Sequence, residues 1–256
     1  MRVTLLQTDI TWASPPTNRE NVDAMLASTP GSDLYVLPEM WSTGFATTPD
    51  GIAESDGSTL EWMLTKSRET GAALCGSLSI SVVSGTGAVG YYNRHYFVEP
   101  DGTCQYYDKR HLFGYGGEDK HYERGSRRVI VNYQGWRWLL LTCYDLRFPV
   151  WSRNRLDYDG IIVVANWPAS RRRVWDVLIR ARAIENQCVL LATNRVGSDA
   201  SCHYDGGSAI IDAKGHLLAA CADDEQSACT ADLSMAELMA FRRKFDVLHD
   251  RDDFDL

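Results

Sequence analysis

The chain has 256 residues, of which 45% are hydrophobic and 23% charged, and a formal net charge of −8. That length supports one large core, and ordinary glycine, proline and charge fractions exclude a largely disordered chain. The acidic balance argues against non-specific nucleic-acid binding, which needs clustered Lys and Arg to displace counterions.

The start, from Met1 to Gln7, reads as a first strand and not as a signal peptide, having no long apolar segment. Residues 3–8 pattern as a strand, 18–28 as an amphipathic helix and 34–37 as a short buried strand that ends at Pro38-Glu39. Ser58-Thr59-Leu60-Glu61 has the form of a capping box, opening a helix that ends at Gly71. Strands are expected over 72–83, 91–98 and 103–108, with glycine-rich and Pro-Asp-Gly turns between them. A second pair follows over 128–133 and 136–142. Then come an apolar strand at 160–165, a helix at 172–186 and another apolar strand at 188–194. Strands at 207–211, 217–221 and 227–233 and a helix at 235–244 complete the series. The tail from about 246 to 256 is expected to be extended. No linker interrupts the pattern, so residues 1–256 read as a single domain.

Continuous apolar strands between helices imply sheets covered on both faces, an α/β class. Gly85-Thr86-Gly87-Ala88-Val89-Gly90 matches a dinucleotide fingerprint, but strand-like sequence follows it where a helix would be required. It reads as a hairpin loop, so no cofactor is expected. Cys202-His203 is an isolated pair, and no metal site is expected. No apolar run approaches the roughly 20 residues needed to span a bilayer. Seven cysteines without regular spacing fit reduced thiols, hence a cytoplasmic location. Arg171-Arg172-Arg173 reads as the solvated first turn of a helix; the alternative is a basic surface facing an acidic substrate.

Chemistry is carried at strand ends. Cys143 closes the apolar run that starts at Trp136, and polarity then switches at Tyr144-Asp145-Leu146-Arg147. A thiol there sits at the crevice where α/β sheets bind ligands. Most free cysteines are small core hydrophobes, and Cys75, Cys188, Cys221 and Cys229 take that reading. Cys104 is a strand residue and Cys202 a loop residue. A nucleophilic thiol needs activation, and no histidine lies close to Cys143 in sequence. Glu39 and Lys109 each end a strand in the same way. Taken singly each is a surface charge beside a turn; together with Cys143 they form a nucleophile, a base and a cation.

Leu37-Pro38-Glu39, Asp108-Lys109-Arg110-His111-Leu112-Phe113 and Leu141-Thr142-Cys143-Tyr144-Asp145-Leu146-Arg147-Phe148-Pro149 resemble the three blocks of the nitrilase (carbon–nitrogen hydrolase) superfamily. Ala165-Asn166-Trp167-Pro168, the 180–187 segment and Asn194-Arg195-Val196-Gly197 extend the resemblance along nearly the whole chain. It implies a four-layer α-β-β-α sandwich whose protomers pair through the helical layer near the cysteine, giving a homodimer or higher homo-oligomer. It also implies a second glutamate, for which Glu118 is the best match and Glu123 the fallback.

The form of the blocks is most similar to the ω-amidase branch, which hydrolyses the terminal amide of 2-oxo dicarboxylic acid monoamides. The implied mechanism makes Cys143 the nucleophile and Glu39 the base. Lys109 and the Tyr144 backbone N–H stabilise the oxyanion, and a thioester forms. Arg147 is the first candidate for the substrate carboxylate, against a helix-start salt bridge. Trp41, Phe45 and Trp167 are expected to wall the pocket. The competing readings are another nitrilase-superfamily hydrolase (nitrilase, carbamoylase or aliphatic amidase), a histidine-dependent cysteine hydrolase, and a catalytically silent ligand-binding protein on the same fold.

Overall fold

Runs of β-branched and apolar residues alternate with amphipathic segments, and the resulting elements bury apolar side chains on both strand faces. The computed structural model describes residues 1–253. In chain order they form β1 (Arg2–Gln7), α1 (Pro15–Ser28), β2 (Leu34–Val36), α2 (Ser58–Thr70), β3 (Ala73–Val83), β4 (Val89–Val98) and β5 (Cys104–Asp108). Next are β6 (Ile130–Tyr133), β7 (Trp136–Thr142), α3 (Pro149–Ser152), β8 (Gly160–Val164), α4 (Arg172–Glu185) and β9 (Val189–Thr193). Last come β10 (Val196–Ser198), β11 (His203–Asp205), β12 (Ala209–Ile211), β13 (Leu217–Ala220), β14 (Ser227–Asp232) and α5 (Met235–Lys244).

One six-stranded sheet has the order β14-β1-β2-β3-β4-β5 and the other β13-β12-β9-β8-β7-β6. Side chains alternate between their faces, as the pleat requires. Val3, Leu5, Val36, Cys75 and Phe97 join the large core shared with the second sheet. Leu6, Tyr35, Leu74 and Val98 point the other way, against Val22, Met25 and Leu26 of α1 and Met63 of α2. On the second sheet, Trp175, Ile179 and Ala183 of α4 are buried, and Trp175 Nε1 donates to Gly207 O at 2.8 Å. The expected α-β-β-α layering is therefore present. Fully burying each such side chain contributes roughly 1.5–3 kcal/mol, which is why the sheets hold together without disulfides.

Parallel pairing at the centre of each sheet decides where the site lies. β1, β2 and β3 run parallel, as do β7, β8 and β9. β4 reverses against β3 and β5 reverses again, so β5 ends at the same edge as β2. The segments following β2, β5, β7, β8 and β9 thus gather at one end of the sandwich.

Three local expectations need correction. The helix cap at Ser58 does not form. Gly57, in a left-handed conformation, occupies the cap position, and the Asp56 carboxylate accepts the Ser58 N–H at 3.0 Å. The Glu61 N–H, which the Ser58 hydroxyl was expected to accept, donates instead to Gly57 O at 3.0 Å. The tail is not simply extended: residues 247–250 form a turn that buries Leu248, and 254–256 lie outside the described residues. The hairpin of β10 and β11 was not expected, since three-residue strands are too short to show a period. The glycine fingerprint is a hairpin turn, with Ser84 N donating to Ala88 O at 2.8 Å.

Gly160 faces Trp138 directly across the β7–β8 pair, and a Cβ on it would lie 2.2 Å from the indole ring. Gly160→Ala should therefore destabilise the protein by about 1–3 kcal/mol in urea denaturation. A change within about 0.5 kcal/mol, the range of surface substitutions, would mean that the ring moves aside freely.

Candidate active site

The gathered strand ends bring four side chains together that are far apart in sequence. Glu39 follows β2, Lys109 follows β5 and Cys143 follows β7. Glu118 comes from a short 3-10 helix, Glu118–Lys120. Lys109 Nζ lies 2.8 Å from Glu39 Oε1 and 2.9 Å from Glu118 Oε2, and all three side chains are 0% exposed. Asn93 Nδ2 donates to Glu39 Oε1 at 2.8 Å and to Glu118 Oε1 at 3.0 Å, bridging the carboxylates. Phe113 N donates to Glu118 Oε2 at 2.6 Å. Asn166, at the end of β8, donates its N–H to Glu39 Oε2 at 2.8 Å, and its carbonyl accepts the Cys143 thiol at 3.9 Å. Glu123 is exposed, so Glu118 is the second glutamate of the cluster.

The thiol is presented by a strained turn. Cys143 has φ +45°, a left-handed conformation uncommon for a residue with a side chain. The surroundings over-determine it. Asp145, fully buried, accepts from Thr142 N at 2.9 Å, Tyr107 Oη at 2.8 Å and His111 N at 2.9 Å, with His111 Nδ1 a further 2.8 Å contact. One carboxylate thereby ties the lysine segment to the cysteine segment. Arg182 of α4 donates to Leu146 O at 2.7 Å and braces the same 3-10 turn from the helical layer. The Tyr144 backbone N–H lies in the first turn of this helix, where amides lack intrahelical acceptors.

Burial sets the charges. Burial and the Glu39 carboxylate push the Cys143 thiol well above the ordinary range, while Lys109 opposes them. Burial works against the Lys109 ammonium, but Glu118, Glu39 and Cys143 outweigh it and raise its pKa. Burial likewise raises Glu118, opposed by Lys109 and reinforced by Glu39. Burial and Glu39 thus favour the protonated Cys143 thiol beside a held ammonium.

No histidine nitrogen is bonded to Cys143 Sγ among the described residues. His95 faces Cys75 Sγ at 2.8 Å and Leu141 O at 3.1 Å, and burial pushes it down to about 3. His111 is held by Asp145 and stacks on Phe148 with ring centroids 3.8 Å apart. Neither stands where the histidine-dependent reading needs a base.

Above Cys143 opens a cavity of about 770 Å³. Phe45, Tyr144, Arg147 and Trp167 line it, as the sequence suggested. Phe45 covers Lys109, with Nζ 5.3 Å from its ring centroid. Trp41 does not line the cavity. It packs on the outer face of the first sheet, 5.2 Å from Trp62 of α2. The segment after Glu39 turns at Met40, φ +42°, and Trp41 leaves on the opposite side.

Several site residues escaped the sequence reading. Asn93, Trp12, Phe113, Tyr115 and the 199–202 loop are among them, while Arg171 reads in the sequence only as part of a run that could face an acidic substrate. Asn93 carried a signal: with His95 and Phe97 it shares the inward face of β4, a polar residue in a buried phase. The aromatic residues carried none, because loops lack a period. Asn194 has its place too: it pins the turn carrying Trp167, accepting Trp167 N at 2.8 Å and donating to Trp167 O at 2.9 Å.

A carbon–nitrogen hydrolase family model matches residues 2–243. The chain belongs to the carbon–nitrogen hydrolase family. It is 44% identical to the omega-amidase YafV of Escherichia coli (strain K12), over 100% of this chain and 98% of that one. It is 31% identical to the 2-oxoglutaramate amidase of Bacillus subtilis (strain 168), over 97% and 96% of the two chains. The crystal structure of XC1258 from Xanthomonas campestris, a CN-hydrolase superfamily protein with an arsenic adduct in its active site, superposes with a TM-score of 0.95. That match is at 40% identity and covers 100% and 98% of the chains.

Two outcomes follow from this geometry. The raised thiol predicts that the thiolate absorbance assigned to Cys143, wild type minus Cys143→Ala, is absent at pH 7 and grows only above pH 9. A full thiolate signal at pH 7 would contradict it. Asn93→Ala removes the shared donor of two buried carboxylates, a loss of about 1–3 kcal/mol, and should lower kcat about tenfold or more. Steady-state kinetics with an unchanged kcat would show the bridge to be dispensable.

Proposed function

We propose that the chain hydrolyses the terminal amide of a short 2-oxo dicarboxylic acid monoamide, of the 2-oxoglutaramate type, to the acid and ammonia. The carrying observation is the buried Glu39–Lys109–Glu118 cluster beside Cys143 at the base of one cavity. The near full-length likeness to an omega-amidase and a 2-oxoglutaramate amidase supports the choice of substrate.

The roles follow from the distances and charges. Glu39 takes the proton as Cys143 Sγ attacks the amide carbon, so no standing thiolate is required. Charge develops on the amide oxygen, where the Lys109 ammonium and the Tyr144 N–H serve as donors already in place. Glu39 then returns its proton to the nitrogen, the C–N bond breaks and ammonia leaves, with the acyl group held as a thioester. Glu39 next deprotonates a water, which attacks the thioester carbon. The sulfur departs, regains a proton and frees the acid. Glu118 positions Lys109 through its two oxygens, 2.9 and 3.1 Å from Nζ. Arg147 binds the substrate carboxylate: its guanidinium lies 5.0 Å from the Trp167 ring centroid and has no carboxylate partner among the described residues. An Arg fork matches a planar carboxylate. The Cys143 set argues against the silent-protein reading, since a binding protein has no use for a buried base beside a thiol.

The cellular setting follows the same reading. A cytoplasmic enzyme fits seven free cysteines, and no described helix is long and apolar enough to cross a membrane. A homodimer through the helical layer fits the exposure of Val150, Val177 and Ile184 on α3 and α4, beside the braced cysteine turn.

Ammonia release should be seen from 2-oxoglutaramate and not from a nitrile or an N-carbamoyl amino acid of similar length, and Cys143→Ala should abolish it. Lys109→Met should lower kcat by about 10²–10³, the scale for removing one oxyanion donor. Release from nitriles or carbamoyl compounds in preference to the amide would replace this reading with another branch of the family.

A further inference from the structure

The basic run at 171–173 is divided by the structure, and one arginine is left over. Arg172 is paired with Asp176 at 2.8 Å and Asp223 at 2.9 Å. Arg173 is exposed to solvent. Arg171 is half-buried and lines the cavity above Cys143. Its guanidinium carbon lies 5.3 Å from the Phe113 ring centroid, and no carboxylate stands within ion-pair distance among the described residues.

Arg147 is in the same condition on the Trp167 ring. Trp167 links the two arginines: its face carries the Arg147 guanidinium, and its Nε1 donates to Arg171 O at 2.9 Å. Phe113, beneath Arg171, meets the Tyr144 ring at 5.2 Å, directly after the nucleophile. The rings hold the cations in place without neutralising them. Asp199 is the single carboxylate in the cavity lining, and its oxygens are occupied by Ser201, Cys202 and Tyr204. Lys109 is occupied by its two glutamates. A chain of net charge −8 therefore keeps two unpaired guanidinium groups facing one largely apolar cavity. Partly desolvated cations in such a place favour an anionic ligand.

We propose that Arg171 is a specificity-determining residue that completes, with Arg147, a two-armed subsite for the 2-oxocarboxylate end of the substrate. The proposal rests on the substrate reading given above. A 2-oxo acid presents three oxygens on adjacent carbons. One planar fork takes the carboxylate, and the second spans a carboxylate oxygen and the 2-oxo oxygen. A simple carboxylate would use only the first arm.

The test compares 2-oxoglutaramate, glutaramate (the same acid amide without the 2-oxo group) and the neutral pentanamide. Arg171→Gln keeps the backbone carbonyl that Trp167 uses. It should lower kcat/KM on 2-oxoglutaramate ten- to a hundredfold, chiefly through KM, and shrink the preference for 2-oxoglutaramate over glutaramate. Arg171→Lys should recover part of the charge effect but not that preference. Arg173→Gln, on the solvent side, should match wild type. An equal fall on all three amides would mark Arg171 as structural, and an unchanged preference would remove it from the subsite; either result overturns the proposal. A wild-type enzyme that ignores 2-oxoglutaramate overturns the substrate reading itself, whereas one that selects it with Arg171→Gln equally selective overturns only the Arg171 assignment.

Discussion

The buried ammonium of Lys109, clamped between Glu39 and Glu118, is the contact on which the rest of the molecule depends. Removing three charges from water is expensive, and their attraction offsets that only when the geometry is good and the remaining lone pairs are filled. The surroundings meet that condition. Asn93, Phe113 N and Asn166 N each supply a donor to the carboxylates. Those donors come from β4, from the loop after β5 and from the end of β8. The cluster can exist only if both sheets are in register, so the site and the sandwich stabilise one another.

The same reasoning explains how the cysteine turn is held. A residue with φ +45° drifts back to a relaxed conformation unless its neighbours forbid it. Asp145 does so by binding the turn to the lysine segment, and Arg182 by bracing it from α4. Positioning here is a property of several elements, and no single loop carries it.

This division also explains what could be read from the chain itself. Glu39 and Cys143 each follow an apolar run that stops abruptly, and Lys109 ends the strand-like segment 103–108, so their placement at strand ends was visible in the chain. Strands buried on both faces showed an α/β class, whereas the four layers themselves were implied only by the resemblance to the nitrilase superfamily. The resemblance already favours Glu118 over Glu123, and the loop geometry that turns Glu118 inward and leaves Glu123 exposed bears out that choice. Trp41 was misplaced because one left-handed residue, Met40, reverses the side on which its neighbour leaves. The cap at Ser58 failed because the helix opens one residue earlier, at Gly57, whose carbonyl takes the Glu61 amide. Arg171 was not separable from a run of like residues, because Arg172 is singled out by acids as far off as Asp223 as well as by nearby Asp176.

The raised thiol has a consequence for survival in an oxidising burst. Peroxides react with the thiolate form of cysteine and scarcely with the protonated form. Burial and the Glu39 carboxylate favour the protonated form of Cys143, which disfavours that oxidation, and under the proposed mechanism the sulfur gains its reactivity as Glu39 accepts the proton. If Cys143 has the proposed role, its burial guards the nucleophile twice, by covering the sulfur and by withholding its charge.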